Sequence, residues 1–189
     1  MTGKIQWWIA IPLALVLLGD ANGSRFDRVV AALKAGETAE SLGGRQQAAT
    51  LRLAAETLIA SGARPAEGSE NLADRWQSAA AGVDHQNAGP VASYRDRALG
   101  PTYRIVNLPG GGKEAFEQVF LAGQRARVSV VAVHHSDFQL TVDDDDHRRV
   151  CSNVTTSNPC EWVPSWTTRF SVSLANPRPT AGVYYLVLQ

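Results

Sequence analysis

What this chain lacks narrows its role first. It has no excess of charge, because 18 basic and 18 acidic residues cancel. There is therefore no basic footprint for nucleic acid and no cationic patch for an anionic membrane. Only three of the basic residues are lysine, against fifteen arginines, a bias that fits a GC-rich genome. Catalytic signatures are missing as well. Serines are plentiful, but none lies in G-x-S-x-G. Pro109-Gly-Gly-Gly-Lys113 lacks the G-x-x-x-x-G-K-[ST] spacing of a phosphate loop, and Glu114 stands where the hydroxyl residue would be. A turn between strands is expected there, and a non-catalytic protein overall. No segment repeats another.

Long apolar runs are scarce too, and the single one sits at the start. Residues 5–18 are almost wholly apolar, Gln6 excepted, with Lys4 before them and the small residues of Gly19-Asp-Ala-Asn-Gly23 after them. This is the layout of a secretory signal, with cleavage expected after Ala21 or Gly23. The run is short of the roughly 20 apolar residues that span a bilayer. No cysteine follows it, which excludes a bacterial lipoprotein, and no stable membrane span is expected after cleavage. The protein is expected in a periplasm or outside the cell. Export bears on the two cysteines, Cys151 and Cys160. In an oxidising compartment they would most simply bond to each other. A metal-ligand pair or a redox couple would want C-x-x-C spacing or a nearby histidine, and neither is present.

What is there reads as two kinds of structure. With 189 residues, 44% of them hydrophobic, the chain can build one good core and a small second unit. Ser24-Arg-Phe-Asp27 matches a helix-opening cap, and Phe26, Val29, Val30 and Leu33 share one face, with Gly36 as the expected stop. A second helix is predicted over 45–60, with Leu51, Ala54, Ala55, Leu58 and Ile59 as its stripe. A third is predicted after Ser69, with Leu72, Trp76 and Ala80 one turn apart. Residues 83–101 read as a linker. From Tyr103 the period becomes two, and strands are predicted over 103–108, 116–121, 125–133, 137–143, 167–175 and 183–188. The last is apolar on both faces, which suits a central strand or one covered by the helices. The resulting organisation is a signal over 1–23, helices over 24–82, a linker over 83–101 and an antiparallel β-sandwich over 102–189, an α+β chain.

The strand residues also carry a resemblance. Phe120-Leu-Ala-Gly-Gln-Arg-Ala-Arg-Val-Ser-Val130, Ser136-Asp-Phe-Gln-Leu-Thr-Val142, Cys160-Glu-Trp-Val-Pro-Ser-Trp-Thr-Thr-Arg-Phe-Ser-Val172, Asn176 and Tyr185-Leu186 follow one another. Together they resemble the bacterial pre-peptidase C-terminal domain over residues 103–189. The resemblance implies a jelly-roll-like sandwich, generally an accessory domain of exported proteins that acts in targeting, binding or secretion, with calcium bound by some related domains. Two positions depart from the family pattern. Gln139 replaces the second aspartate of its Asp-x-Asp-Leu strand, which weakens the calcium implication, and Thr168 replaces a glycine.

Candidate sites remain beside plainer readings. Asp143, Asp144, Asp145 and Asp146, with Asp137, could offer oxygens to Ca²⁺, which takes six to eight of them. The plainer reading is a solvated hairpin tip whose aspartates satisfy local backbone groups. His134 or His135, with Asp137 and the acidic turn, would serve a zinc- or calcium-dependent hydrolase, yet adjacent histidines on a strand point to opposite faces. Asn153-Val-Thr155 is a glycosylation sequon. Trp162 and Trp166, flanking Pro164, would share a side under strand alternation, either as a platform for sugars or peptides or as core packing. The helical stripes are core or else a partner-binding surface, the latter suiting a structural or chaperone-like envelope component. The leading expectation is an exported accessory protein that binds an unknown protein or glycan, without a cofactor.

Overall fold

The computed structural model describes residues 24–83, 100–155 and 158–189. The expected signal and nearly all of the expected linker lie outside them. Three helices come first, α1 (Arg25–Glu40), α2 (Gly44–Ala60) and α3 (Leu72–Val83), with the two-residue β1 (Arg64–Pro65) between the last two. Eight strands follow: β2 (Thr102–Leu108), β3 (Lys113–Phe120), β4 (Ala126–Ala132), β5 (Gln139–Asp143), β6 (Arg149–Val154), β7 (Cys160–Trp162), β8 (Thr168–Ala175) and β9 (Gly182–Leu188). The chain is α+β. Among the described residues, no helix is long and apolar enough to cross a membrane.

The eight strands pair as a nested ribbon. β2 pairs with β9, β3 with β8, β4 with β7 and β5 with β6, each antiparallel. Folding that ribbon over gives sheets in the orders β1-β2-β9-β4-β7 and β3-β8-β5-β6, a jelly roll. β1 runs parallel to β2 and extends its edge. The topology sends the β3–β4, β5–β6 and β7–β8 connections to one end of the sandwich, and the β2–β3, β4–β5, β6–β7 and β8–β9 connections to the other.

The five-stranded sheet is buried on both faces. On β9, Tyr184, Leu186 and Leu188 point between the sheets, into a core shared with Val128, Leu140, Val172 and Leu174. Val183, Tyr185 and Val187 point the other way, against Phe26, Val29, Leu33, Leu51, Leu58 and Trp76 of the helices. The helical stripes are therefore spent on a second core, and the molecule is a three-layer body. Arg127 of β4 pins the start of α1 to the sheet. Its guanidinium lies 4.3 Å from the Phe26 ring centroid and donates to Ser24 Oγ (2.7 Å) and Asp27 Oδ1 (2.7 Å). This arginine holds the Asp27 carboxyl below its ordinary range. At the other end of α1, Glu40 Oε1 accepts from Arg75 Nη2 (2.6 Å) and from Trp76 Nε1 (2.9 Å).

Three features differ from the sequence expectations. Gly36 does not end α1, which continues to Glu40. Its missing side chain makes room for a neighbour instead, since a Cβ there would lie 2.3 Å from ring carbons of the buried Trp76. β6 and β7 do not announce themselves by alternation, because β6 is largely exposed and β7 is three residues long. β3 begins at Lys113, its early inward positions being the half-buried Glu114 and Phe116.

A Gly-to-Ala change inside a helix ordinarily stabilises by about 1 kcal/mol. Gly36→Ala is expected to do the reverse and cost about 1–3 kcal/mol, the range of core overpacking. Denaturant unfolding of the variant measures the sign. A stabilised variant would mean that Trp76 does not occupy this space.

Candidate functional site

The end of the sandwich that gathers the β3–β4, β5–β6 and β7–β8 connections holds the most exposed large apolar side chain among the described residues, Trp166, with two further exposed apolar residues. Trp166 is 78% exposed, Val163 59% and Leu121 50%. They come from two loops that are tied together. Gly123 N–H donates to the Pro164 carbonyl (2.9 Å), and Ala122 N–H donates to Thr167 Oγ1 (3.0 Å). Gly123 adopts φ +69°, a left-handed turn that glycine makes at little cost. The acidic turn joins them through Thr168, whose hydroxyl donates to Asp145 Oδ2 (2.8 Å).

Beneath this surface lies an aromatic floor. The Trp162 ring stands edge-on to Phe120 with centroids 4.9 Å apart, and 5.3 Å from Phe170. Trp162 and Trp166 thus do not share a side. β7 stops at Trp162, Pro164 still lies inward in phase with it, and the bends over residues 165–167 then turn the second tryptophan out to solvent while the first packs inward. The Trp162 indole nitrogen is shielded from water and has no hydrogen-bond partner among the described residues.

The disulfide holds the end in shape. Cys151 of β6 bonds to Cys160 of β7, tying one sheet to the other at an edge. β6 leaves the acidic turn and β7 enters the Trp166 loop, so the bond joins the strands that carry the two halves of the site.

Each aspartate of the turn is engaged. Asp144 is its organiser: its carboxylate accepts from the backbone N–H groups of Asp146 (3.0 Å) and Arg148 (2.8 Å), and from Arg148 Nε (3.1 Å). The Arg148 backbone N–H, with its guanidinium, holds the Asp144 carboxyl below the ordinary carboxylate range. Arg148 also reaches Asp146 (2.9 Å), and Arg149 pairs with Asp143. Oxygens of Asp144, Asp145 and Asp146 lie within 4.8 Å of one another. A cation entering among them would displace Arg148 from two of the three carboxylates.

Asp137 does not join this group. It lies at the opposite end of β5, roughly 20 Å away at about 3.3 Å per residue, where Arg178 Nε donates to it (2.7 Å). His134 and His135 follow β4 at that same far end. There Glu37 Oε1 accepts the His134 backbone N–H (2.8 Å), and His134 has φ +55°. The candidate hydrolase constellation is thus divided between the two ends, because β5 runs the length of the sandwich between its halves. The far end is organised by buried Asn176, which donates to the carbonyls of Pro109 (3.2 Å) and Thr180 (2.7 Å). The sequon residue Asn153 donates to the Asn158 carbonyl (2.7 Å).

Leu121 and Val163 escaped the sequence reading. A signal was present, since each is an apolar residue within two positions of a turn-former, Gly123 or Pro164.

No protein-family model matches the sequence, and no curated protein matches it. Part of the fold is similar to the Yersinia pseudotuberculosis-derived mitogen, with 11% identity over 47% of this chain and 84% of that chain, TM-score 0.42. It is also similar to the pre-peptidase C-terminal domain of collagenase from Bacillus anthracis, with 12% identity over 47% and 88% and TM-score 0.40. A third similar structure is a periplasmic inhibitor of g-type lysozyme from Aeromonas hydrophila, with 10% identity over 47% and 84% and TM-score 0.38. All three are β-sandwich folds, and the second is a domain of the family that the strand motifs resemble.

Replacing Cys151 and Cys160 together by serine frees a nine-residue separation and is expected to cost about 2.5 kcal/mol by chain entropy. Equilibrium denaturation of the oxidised protein and the double variant measures it. Equal midpoints would mean that the bond constrains nothing.

Proposed function

We propose that this protein is an exported, non-catalytic binding module that grips its partner with the loop end of the jelly roll, Trp166 being the anchor. The observation that carries this reading is Trp166 itself, 78% exposed in a chain whose other described tryptophans are buried or half-buried. A side chain of that size held in water contributes little to folding. At an interface, tryptophan is among the residues that most often account for 2 kcal/mol or more of binding. Val163 and Leu121 beside it widen the apolar patch, and charged residues from the acidic turn and from Arg125 with Glu161 (3.1 Å) form a polar rim.

Other features agree with this reading. The Cys151–Cys160 disulfide fits an oxidising compartment, as the signal-like start of the chain does. The apolar stripes of the helices are occupied by the sheet, so a role for them as an open partner surface has little left to use; only Leu53 is a large exposed apolar residue there. The division of His134, Asp137 and the acidic turn between two ends favours binding over metal-dependent hydrolysis.

The two tryptophans make the test. Trp166→Ala is expected to leave stability within about 0.5 kcal/mol of the parent and to abolish retention of whatever the parent captures from envelope extract or a glycan array. Trp162→Ala is expected to cost about 3 kcal/mol in stability. Trp162→Phe keeps the packing and removes a buried unpaired donor, so it is expected to be neutral or stabilising. If Trp166→Ala retains the same species as the parent, the loop end is not the contact surface.

A further inference from the structure

We infer that the partner at this end is a basic protein segment, one that sets a lysine or arginine beside an apolar side chain. The inference rests on the binding-surface reading above and deepens it. Four carboxylates, Asp143 to Asp146, share two guanidinium groups, those of Arg148 and Arg149. Asp144 and Asp146 divide Arg148 between them, and Asp145 has a hydroxyl as its partner, with no cation paired to it among the described residues. The turn therefore keeps an excess of two negative charges. The neighbouring charges at this end cancel along a chain from Asp27 through Arg127 and Glu161 to Arg125. Arg169, next to Thr168 at the start of β8, faces outward opposite Val119 and pairs with none of these carboxylates among the described residues; with it counted, this end still keeps one uncompensated negative charge.

The uncompensated charge is placed where it matters. Asp145 is held by Thr168, two residues from Trp166. With the exposed indole two residues along the chain from the threonine that holds this carboxylate, the same end offers a cation two attractions, the ring quadrupole and the charge. The apolar neighbours Val163 and Leu121 call for a partner that also presents an aliphatic or aromatic side chain. A neutral glycan would stack on Trp166 without needing the carboxylates. An anionic lipid surface would be repelled by them.

Selection of random phage-displayed peptides against protein purified from expression of the full chain tests this, with each enriched peptide re-measured against two variants, Trp166→Ala and a double aspartate variant. The expected result is a set of Trp166-dependent peptides enriched in lysine and arginine. Their affinity should fall about fivefold in a variant carrying Asp145→Asn with Asp146→Asn, and fall as salt rises. Asp144→Asn is left out of the comparison, because it would unmake the turn. Peptides that need Trp166 but carry no basic excess, and that ignore the Asn pair, would overturn the inference while leaving the loop end as the contact surface. Peptides that ignore Trp166→Ala would overturn both.

Discussion

One strand holds this molecule together. β9 carries apolar side chains on both of its faces, so it takes part in two cores at once. Tyr184, Leu186 and Leu188 close the sandwich, while Tyr185 and Val187 seat the helices. Each fully buried aliphatic or aromatic side chain of this kind is worth about 1.5–3 kcal/mol, and the two sets cannot be separated by any shift of register. Moving β9 by one residue would exchange the two faces and mismatch both cores. The helices are therefore a third layer of one body, and Arg127, placed between Phe26 and Asp27, fixes where that layer begins.

A three-layer body packed around two cores explains how three loops can present a defined surface. The nested strand pairing delivers the β3–β4, β5–β6 and β7–β8 connections to one end, and hydrogen bonds of backbone and threonine hydroxyl groups tie them there. Trp162, Phe120 and Phe170 form the floor, the disulfide spans the sheets at the side, and Asp144 builds the acidic turn from within. Trp166 stands on that support at little cost to folding. For the proposed contact surface, preorganisation of this sort would lower the ordering entropy lost on binding.

Much of the scaffold was legible in the residue pattern, for physical reasons that can be named. Alternation marks strands whose two faces differ, which is why β4, β5 and β8 were visible, and the doubled apolar pattern of β9 marked a covered strand. β6 escaped because an exposed edge strand has no face to mark. Gly36 reads as a stop in sequence, although its role depends on Trp76, forty residues away. Alternation sets the two tryptophans on one side and holds as far as the inward Pro164, but the bends over residues 165–167 end it before Trp166. Asp137 is near Asp143 to Asp146 in sequence but not in space, because β5 separates them. Which loops share an end follows from strand order, and no local pattern encodes that order.

The central claim is that Trp166, and no other tryptophan of the folded body, meets the partner. Fluorine NMR of protein labelled with 5-fluorotryptophan tests it without any substitution, by following the Trp76, Trp162 and Trp166 resonances as envelope extract is added. The account expects the Trp166 signal to shift or broaden while those of Trp76 and Trp162 stay in place. Binding that leaves Trp166 sharp and unmoved, or that displaces Trp76 beneath the helices, would contradict it.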